Sequence, residues 1–245
     1  MKKIDLNAPP ETGTFLIYGD TRSGKTKLAG TFPRPRFLSD QTEKGYETLR
    51  HMKPEELFEP GVRPEVYGIE SPKDMIDLLE DTEVTVRKNP GKIQTLVIDS
   101  LTFYSDLFYE TMAREEARMS GQKMVDTRKL YGALFNHLRS VMIRAHSIPG
   151  INVVWLGLAS VDDYGRGGLM IPGKSAAKLP AMCNNYWYLR RYKVSKDEEG
   201  YEVRTQTYMS FPAGGRDGEK LPDPLPENSY RAYAQAMGIV PNNRK

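Results

Sequence analysis

Short apolar runs alternate along this chain with stretches whose apolar residues recur at helical spacing. The continuous runs predict buried strands at residues 14–18, 36–39, 66–69, 95–98 and 151–156. Between the last two runs, residues 101–119 and 126–147 predict a pair of long helices. The apolar face of the second helix consists of Leu130, Leu134, Leu138, Val141, Met142 and Ala145. Strands that alternate with helices are typical of an α/β fold, in which helices cover a mostly parallel sheet.

The C-terminal third of the chain has a different pattern. The segments 186–194 and 201–210 flank the turn-forming sequence Asp197-Glu198-Glu199-Gly200, which predicts a β-hairpin. From Leu221 onward the chain is rich in proline, and residues 230–237 predict one short helix. We therefore predict a core over residues 1–220 and a C-terminal tail over residues 221–245.

Composition narrows the class of protein. The 245 residues are 39% hydrophobic and 27% charged, as in an ordinary globular domain. No apolar run approaches the ~20 residues of a membrane span, and residues 1–13 lack the apolar core of a signal peptide. With Cys183 as the single cysteine and only three histidines, we expect a cytoplasmic protein with neither an internal disulfide nor a zinc site. The net charge of +3 is compatible with a polyanionic partner.

The strongest motif is GDTRSGKT, which fits the P-loop pattern G-x-x-x-x-G-K-[ST]. It follows an apolar run and precedes residues that can continue a helix, which is the context a P-loop needs. The predicted nucleotide-binding residues are Gly19, Asp20, Thr21, Arg22, Ser23, Gly24, Lys25 and Thr26. In this pattern Lys25 reaches the β- and γ-phosphates and Thr26 ligates Mg²⁺. The alternative is a glycine-rich turn without a chemical role.

A second acidic site fits the same chemistry. The run Thr95-Leu96-Val97-Ile98-Asp99-Ser100 matches a Walker B strand, so Asp99 is predicted to bind the magnesium ion together with Thr26. Such a residue is expected at the end of a buried strand next to the P-loop strand. The alternative is that Asp99 caps the following helix. Many oligomeric ATPases place a catalytic Glu directly after this Asp, but here that position is Ser100.

The order of these motifs resembles the RecA core over about residues 13–220. It looks most like the phage nucleotide-binding proteins regarded as shortened RecA-like, ATP-dependent single-strand annealing proteins. The motifs GDTRSGKT and TLVIDSL carry the resemblance, together with the order of the other elements. It implies a RecA-like P-loop NTPase fold with a C-terminal β-hairpin, and a phage-encoded, cytoplasmic ATPase. The implied activity is Mg²⁺-dependent, DNA-stimulated ATP hydrolysis in single-strand annealing or recombination.

The resemblance also implies catalytic residues outside the P-loop. In RecA-like ATPases the general base follows the strand after the P-loop helix, where this chain has Phe37-Leu38-Ser39-Asp40-Gln41-Thr42-Glu43. Glu43 is the preferred base and Asp40 the reserve, and the alternative for each is a solvated surface acid. A basic residue that acts across a subunit boundary is implied at Arg216 or Lys220, where the alternative is a polar turn.

Two DNA-binding segments are implied after the Walker B strand. The first spans residues 114–129, and the second is a glycine-rich loop over residues 160–178. Basic groups that neutralise phosphates and an aromatic ring that stacks on a base are what single-stranded DNA requires. The predicted DNA-binding residues are Arg114, Arg118, Lys123, Arg128, Lys129, Tyr164, Arg166, Lys174 and Lys178. Ordinary solvated loops are the alternative for both segments.

Departures from the RecA pattern leave other functions open. The strand before the second segment ends in Gly157-Leu158-Ala159-Ser160, without the glutamine that senses the γ-phosphate in RecA-like proteins. Ile4 and Leu6 are candidates for an edge strand added to a neighbouring copy, as in a homo-oligomeric ring or filament. One alternative is an ATP-switched replication accessory protein, such as a helicase loader or a partner of a single-strand-binding protein. The other is a small-molecule P-loop kinase, in which residues 160–178 would be the lid.

Overall fold

The computed structural model describes residues 12–120, 126–173, 175–195, 198–216 and 218–239. The strands are β1 Thr14–Gly19, β2 Pro35–Asp40, β3 Glu65–Ile69, β4 Thr95–Asp99, β5 Asn152–Val161, β6 Gly167–Leu169, β7 Asn185–Lys193, β8 Glu199–Arg204 and β9 Gly214–Gly215. The helices are α1 Lys25–Gly30, α2 Glu47–Arg50, α3 Pro72–Lys88, α4 Leu101–Ser120, α5 Thr127–His146, α6 Ser175–Lys178 and α7 Tyr230–Ala236. Short 3-10 turns lie at Pro54–Glu56 and Pro180–Met182.

The central sheet has the strand order β3-β2-β4-β5-β1-β7-β8. Pairing is parallel from β3 to β7, and β8 returns antiparallel beside β7. The predicted fold class, a mostly parallel sheet flanked by helices with a C-terminal hairpin, is confirmed. The predicted position of the Asp99 strand next to the P-loop strand is wrong, because β5 lies between β4 and β1. Their carboxyl ends still meet at one edge, about 10 Å apart.

Both faces of the sheet are covered, which explains the continuous apolar runs. Along β1, Phe15 and Ile17 point to one face while Leu16 and Tyr18 point to the other, and all four are fully buried. Apolar residues of α3, α4 and α5 pack on the Leu16 face. The Phe15 face packs against α1, α2 and the segment after residue 220.

Helices α4 and α5 form an antiparallel pair that extends beyond the carboxyl edge of the sheet. Tyr104 Oη lies 2.6 Å from His137 Nε2, and the Phe108 ring stacks on the same imidazole at 3.9 Å. Further along, Lys129 Nζ lies 2.9 Å from a carboxylate oxygen of Glu116. Because α5 ends beside the start of β5, its first turns lie at the edge where the P-loop lies.

The predicted C-terminal tail packs against the core. Leu221, Leu225 and Tyr233 are buried in the cluster on the Phe15 face of the sheet. The backbone N–H of Tyr230 donates to Thr31 Oγ1 at 2.8 Å, which joins the start of α7 to the end of α1. In the part of the chain that the structure describes, no helix has the length and apolarity needed to cross a bilayer.

Candidate functional site

The P-loop connects the end of β1 to α1. Gly24 precedes the helix with φ of 92°, a left-handed conformation that favours glycine. The Lys25 side chain is buried in the loop, where its Nζ donates to the carbonyls of Gly19 at 2.9 Å and Asp20 at 2.7 Å. Burial lowers the pKa of Lys25, and the carboxylates of Asp99, Glu43 and Asp20 oppose that shift. The loop therefore holds one cation inside a backbone cradle, an arrangement suited to phosphate.

Thr26 and Asp99 meet beside this loop. Thr26 Oγ1 donates to Asp99 Oδ2 at 2.8 Å, and Asp99 is only 3% exposed. Burial raises the pKa of Asp99, while the Thr26 hydrogen bond and Lys25 lower it. Gly45 passes close by, since a Cβ at that position would lie 3.3 Å from both oxygens. A side chain there would crowd the pair of oxygens.

These two oxygens fit a magnesium ion. Mg²⁺ in nucleotide sites takes one or two protein oxygens and completes its shell with waters and phosphates. Within the described residues, no group of three or more His, Cys, Asp or Glu side chains is arranged to hold a metal by itself. The donor set of Thr26 and Asp99 therefore suits a metal that arrives with the nucleotide.

Glu43 faces the same site from the loop after β2. Ser100 Oγ donates to Glu43 Oε2 at 3.2 Å. Burial and the neighbouring Asp99 raise the pKa of Glu43 to about 7, against the lowering effects of Ser100 and Lys25. A carboxyl group that titrates near neutrality is suited to act as a general base.

The reserve base, Asp40, is used in a local turn. Its Oδ1 accepts hydrogen bonds from the backbone N–H of Thr42 at 2.7 Å and from the Thr42 hydroxyl. The structure therefore brings Glu43 together with Lys25, Thr26 and Asp99. Asp40 lies nearby, since its charge also raises the pKa of Glu43, but its carboxylate bonds within its own turn.

The second predicted DNA segment contains regular structure that the sequence analysis missed. β5 continues to Val161, and its last residues pair antiparallel with β6. At the hairpin tip Tyr164 is 84% exposed, and the Arg166 guanidinium lies 5.2 Å from its ring centroid. Asp162 holds Arg166 through an ion pair of 2.8 Å and accepts a hydrogen bond from the Tyr164 backbone. Lys174 lies outside the described residues.

The first predicted DNA segment spans the ends of α4 and α5. Arg114 and Arg118 lie on α4, Arg128 and Lys129 lie on α5, and Lys123 lies outside the described residues. Arg114 forms an ion pair with Glu110 at 2.9 Å, and Lys129 pairs with Glu116 at the same distance. Ion pairs on an exposed surface contribute little to stability. Breaking such a pair so that the cation binds a phosphate therefore costs little free energy.

The second predicted DNA segment packs against α5, just beyond the first predicted segment. A Cβ on Gly173 would lie 3.7 Å from the Tyr131 side chain of α5. Lys178 of α6 places its Nζ 5.0 Å from the ring centroid of Phe135, one turn further along α5. The second segment thus lies against the helix whose first turn carries Arg128 and Lys129, at the carboxyl edge of the sheet where the P-loop also lies.

Arg216 lies elsewhere in the molecule. Its backbone N–H donates to the Asn184 carbonyl at 2.9 Å, beside the first residues of β7. Because β7 runs parallel to β1, this is the amino edge of the sheet, opposite the P-loop. Arg216 therefore does not join the nucleotide site of its own chain and would reach one only in a neighbouring copy. The reserve residue Lys220 is exposed.

Two contributors to the site were missed from sequence. Ser100 was noted only as a residue in place of a catalytic acid, yet its hydroxyl positions Glu43. Gly45 belongs to no motif, although a glycine two residues after a candidate base is a usable signal for a close backbone approach.

Comparison with known proteins places the chain in a family. A family model described as an AAA domain matches residues 12–216, which include the P-loop, β4 and both predicted DNA segments. No curated protein matches the chain. The chain belongs to the AAA domain family and is an ATP-binding P-loop ATPase.

Proposed function

We propose that this ATPase binds single-stranded DNA under the control of ATP and Mg²⁺ and promotes strand annealing or recombination. The observation that carries the proposal is the common edge of the sheet, at which the nucleotide site lies near two basic segments, the second of which carries the exposed ring of Tyr164. Parallel α/β sheets bind their ligands outside the carboxyl ends of the strands. A cytoplasmic, phage-encoded protein that works as a ring or filament remains part of this proposal.

The proposed chemistry is attack of water on the γ-phosphate. In this scheme Glu43 takes the proton from the water, the bond from the γ-phosphorus to the bridging oxygen breaks, and ADP leaves. Lys25 stabilises the negative charge on the phosphoryl oxygens. Thr26 and Asp99 would hold Mg²⁺, which neutralises phosphate charge when bound.

The proposed DNA contacts combine stacking with phosphate neutralisation. Tyr164 offers an exposed ring face, and Arg166 is already held beside it by Asp162. Base–aromatic stacking is tolerant of sequence, and the basic groups of both segments would neutralise backbone phosphates, which every base sequence shares. We therefore expect binding with little base specificity and strong dependence on salt.

A short path that includes one hydrogen bond connects the Asp99 segment to the hairpin that carries Tyr164. The backbone N–H of Leu158 on β5 donates to Thr102 Oγ1 at 3.0 Å. Thr102 lies three residues after Asp99, and Leu158 lies just before the hairpin that carries Tyr164. In this chain, which lacks the γ-phosphate-sensing glutamine, a shift of the Asp99 segment would reach the hairpin through this contact.

Fluorescence anisotropy of a labelled oligodeoxynucleotide tests the proposal. At low salt we expect saturable binding that tightens when ATP and Mg²⁺ are added. The logarithm of the affinity should fall linearly with the logarithm of the salt concentration. Duplex DNA and single-stranded RNA are the matched competitors. Absence of oligonucleotide binding with and without nucleotide would contradict the proposal. Nucleotide-dependent binding to a replication protein in place of DNA would favour the accessory-protein alternative.

A further inference from the structure

A cavity of about 580 Å³ opens where the outer strand β3 meets α2 and the loop that follows β2. Val66 and Gly68 of β3 pair with Phe37 and Ser39 of β2, and Phe37 belongs to the cluster on the Phe15 face of the sheet. Because side chains alternate along a strand, the floor of the cavity is the outer end of that face. Val66 is 41% exposed there, so this part of the sheet is open. The volume lies within the roughly 300–1,000 Å³ of pockets that bind small molecules.

The charged side chains that line this cavity are cations. Arg50 of α2 and Arg63 line it, and among the described residues no carboxylate does so. Arg63 Nη1 donates to the backbone carbonyls of Met52 at 2.9 Å and Leu49 at 3.3 Å, which fixes its guanidinium beside the end of α2. Arg50 pairs with Glu47 at 3.3 Å on an exposed surface, and breaking such a pair costs little. Two guanidinium groups favour a phosphate monoester, which carries up to two negative charges at neutral pH.

The other walls suit a planar ring with polar edges. Tyr46, Pro64 and Val66 line the cavity with an aromatic ring and apolar groups. The Gln41 amide lies across β3 at Gly68, where a Cβ would collide with it. A nucleobase matches these walls, because its faces stack on aromatic rings and its edges exchange hydrogen bonds with an amide.

The cavity shares the loop of residues 41–46 with the nucleotide site. These residues form turns and belong to neither a helix nor a strand. Gln41 and Tyr46, at the two ends of the loop, line the cavity. Between them Glu43 accepts the hydrogen bond from Ser100 at 3.2 Å on the nucleotide side. An occupant that holds both ends of the loop against β3 would therefore keep Glu43 beside Ser100.

We infer that this cavity is a second site, separate from the P-loop, that binds a nucleoside monophosphate unit and promotes ATP hydrolysis through residues 41–46. Arg50 and Arg63 bind the phosphate, and the base lies against Tyr46. A free nucleotide and the phosphorylated end of a DNA strand both offer this unit. Binding at the cavity does not depend on the proposed function. The effect on hydrolysis does rest on it, since that effect requires Glu43 as the base.

Isothermal titration calorimetry with thymidine monophosphate tests the site. This probe lacks the β- and γ-phosphates that a P-loop lysine contacts, so its saturable binding should be unchanged in Lys25→Ala. Arg50→Ala should weaken it roughly tenfold, the effect of losing one hydrogen bond to a charged group. Arg87→Ala is the matched control, because the two arginine side chains are 70% and 68% exposed and each pairs with a nearby glutamate. Absence of saturable binding, or an equal loss in Arg87→Ala, would overturn the inference.

A pair of variants at Val66 tests the role of charge. Val66→Glu adds a carboxylate to the lining and should abolish binding of thymidine monophosphate. Val66→Gln adds an uncharged side chain of the same size and should retain it. Retained ATP binding in both variants shows that they are folded. Equal affinity of the two variants for thymidine monophosphate would contradict a site for an anion.

Competition with oligodeoxythymidylate distinguishes the two sources of the ligand. Displacement of thymidine monophosphate by a terminally phosphorylated strand, and not by its unphosphorylated twin, would identify the strand end as the source. Displacement by neither strand would identify a free nucleotide, and both of these results support the cavity. Equal displacement by both strands would overturn the assignment of a phosphate monoester.

The rate of ATP hydrolysis with and without thymidine monophosphate tests the link to Glu43. We expect the probe to raise the rate several-fold in wild-type protein and to have no such effect in Arg50→Ala. A lower rate would identify the probe as a competitor of ATP at the P-loop, and an unchanged rate with intact probe binding would exclude the link to Glu43. Unchanged ATP binding in Lys25→Ala would contradict the proposed function and leave the cavity standing.

Discussion

The nucleotide site and the predicted DNA surface share one edge of the sheet but are built differently. Lys25 and Asp99 are 7% and 3% exposed, and the hydrogen bond between Thr26 and Asp99 joins elements distant in sequence. At the hairpin tip, Tyr164 is 84% exposed and Arg166 is held by Asp162, four residues away. The first region is preorganised by the core, whereas the second is held only by local contacts. Substitutions should therefore have large effects in the first region and graded effects in the second.

The largest effect is expected from Glu43→Gln. Loss of a general base costs roughly 10²- to 10⁴-fold in rate, so ATP hydrolysis should fall by that factor while ATP binding persists. Asp40→Asn is the matched comparison, because Asp40 bonds within its own turn, and its effect on hydrolysis should be small. Steady-state phosphate release and equilibrium ATP binding measure the two quantities. A larger loss of rate in Asp40→Asn would identify Asp40 as the base.

The pH dependence of hydrolysis sharpens the same assignment. Because burial and Asp99 raise the pKa of Glu43 to about 7, its carboxylate is mostly protonated at pH 6 and mostly ionised at pH 8. A base must be ionised to accept a proton, so the rate should rise about tenfold over this interval and then level off. Initial rates across the interval at ATP concentrations well below KM, which give kcat/KM and so report the pKa of the free enzyme, provide the check. A rate independent of pH would argue against Glu43 as the base.

A smaller, graded effect is expected on the DNA surface. Arg166→Ala should weaken oligonucleotide binding several-fold and reduce the slope of log affinity against log salt by about one. DNA-free ATP hydrolysis should not change. Arg87→Ala removes a comparable exposed arginine from α3, where it also pairs with an acid four residues away, and serves as the control. Salt titrations by anisotropy give both slopes. Equal losses of DNA affinity in the two variants would contradict the assignment of the β5–β6 hairpin to DNA binding.

The smallest expected effect concerns the hydrogen bond that joins the start of α7 to the end of α1. Thr31→Val leaves the buried Tyr230 N–H without its acceptor, which should lower the free energy of unfolding by about 1–3 kcal/mol. Chemical denaturation measures this change. Loss of stability beyond that range would mean that the C-terminal segment is essential to the core.

The nucleotide site was predictable from sequence because its parts follow local rules. A P-loop is contiguous, and apolar runs such as Phe15–Tyr18 and Leu96–Ile98 identify strands that are buried on both faces. The order of strands in space is not local, so the placement of β5 between β4 and β1 was missed.

The other features that the sequence did not predict share a physical cause. Ser160 and Val161 extend β5 only because they pair with Gly167 and Gly168, which the glycine content marked as loop. Tyr201 lies beside the P-loop, with its Cδ1 3.9 Å from the position a Gly24 Cβ would take, and no motif predicts this contact between β8 and the loop. Contacts between segments far apart in sequence leave no local pattern, and such contacts decide both features.

The most direct test of the central claim is the rate of ATP hydrolysis with and without single-stranded DNA, at low salt and with Mg²⁺. If the adjoining nucleotide site and DNA surface are coupled, the oligonucleotide should raise the rate in wild-type protein and raise it less in Arg166→Ala. A rate that is unchanged by single-stranded DNA, in protein that hydrolyses ATP and shows no oligonucleotide binding, would contradict the account.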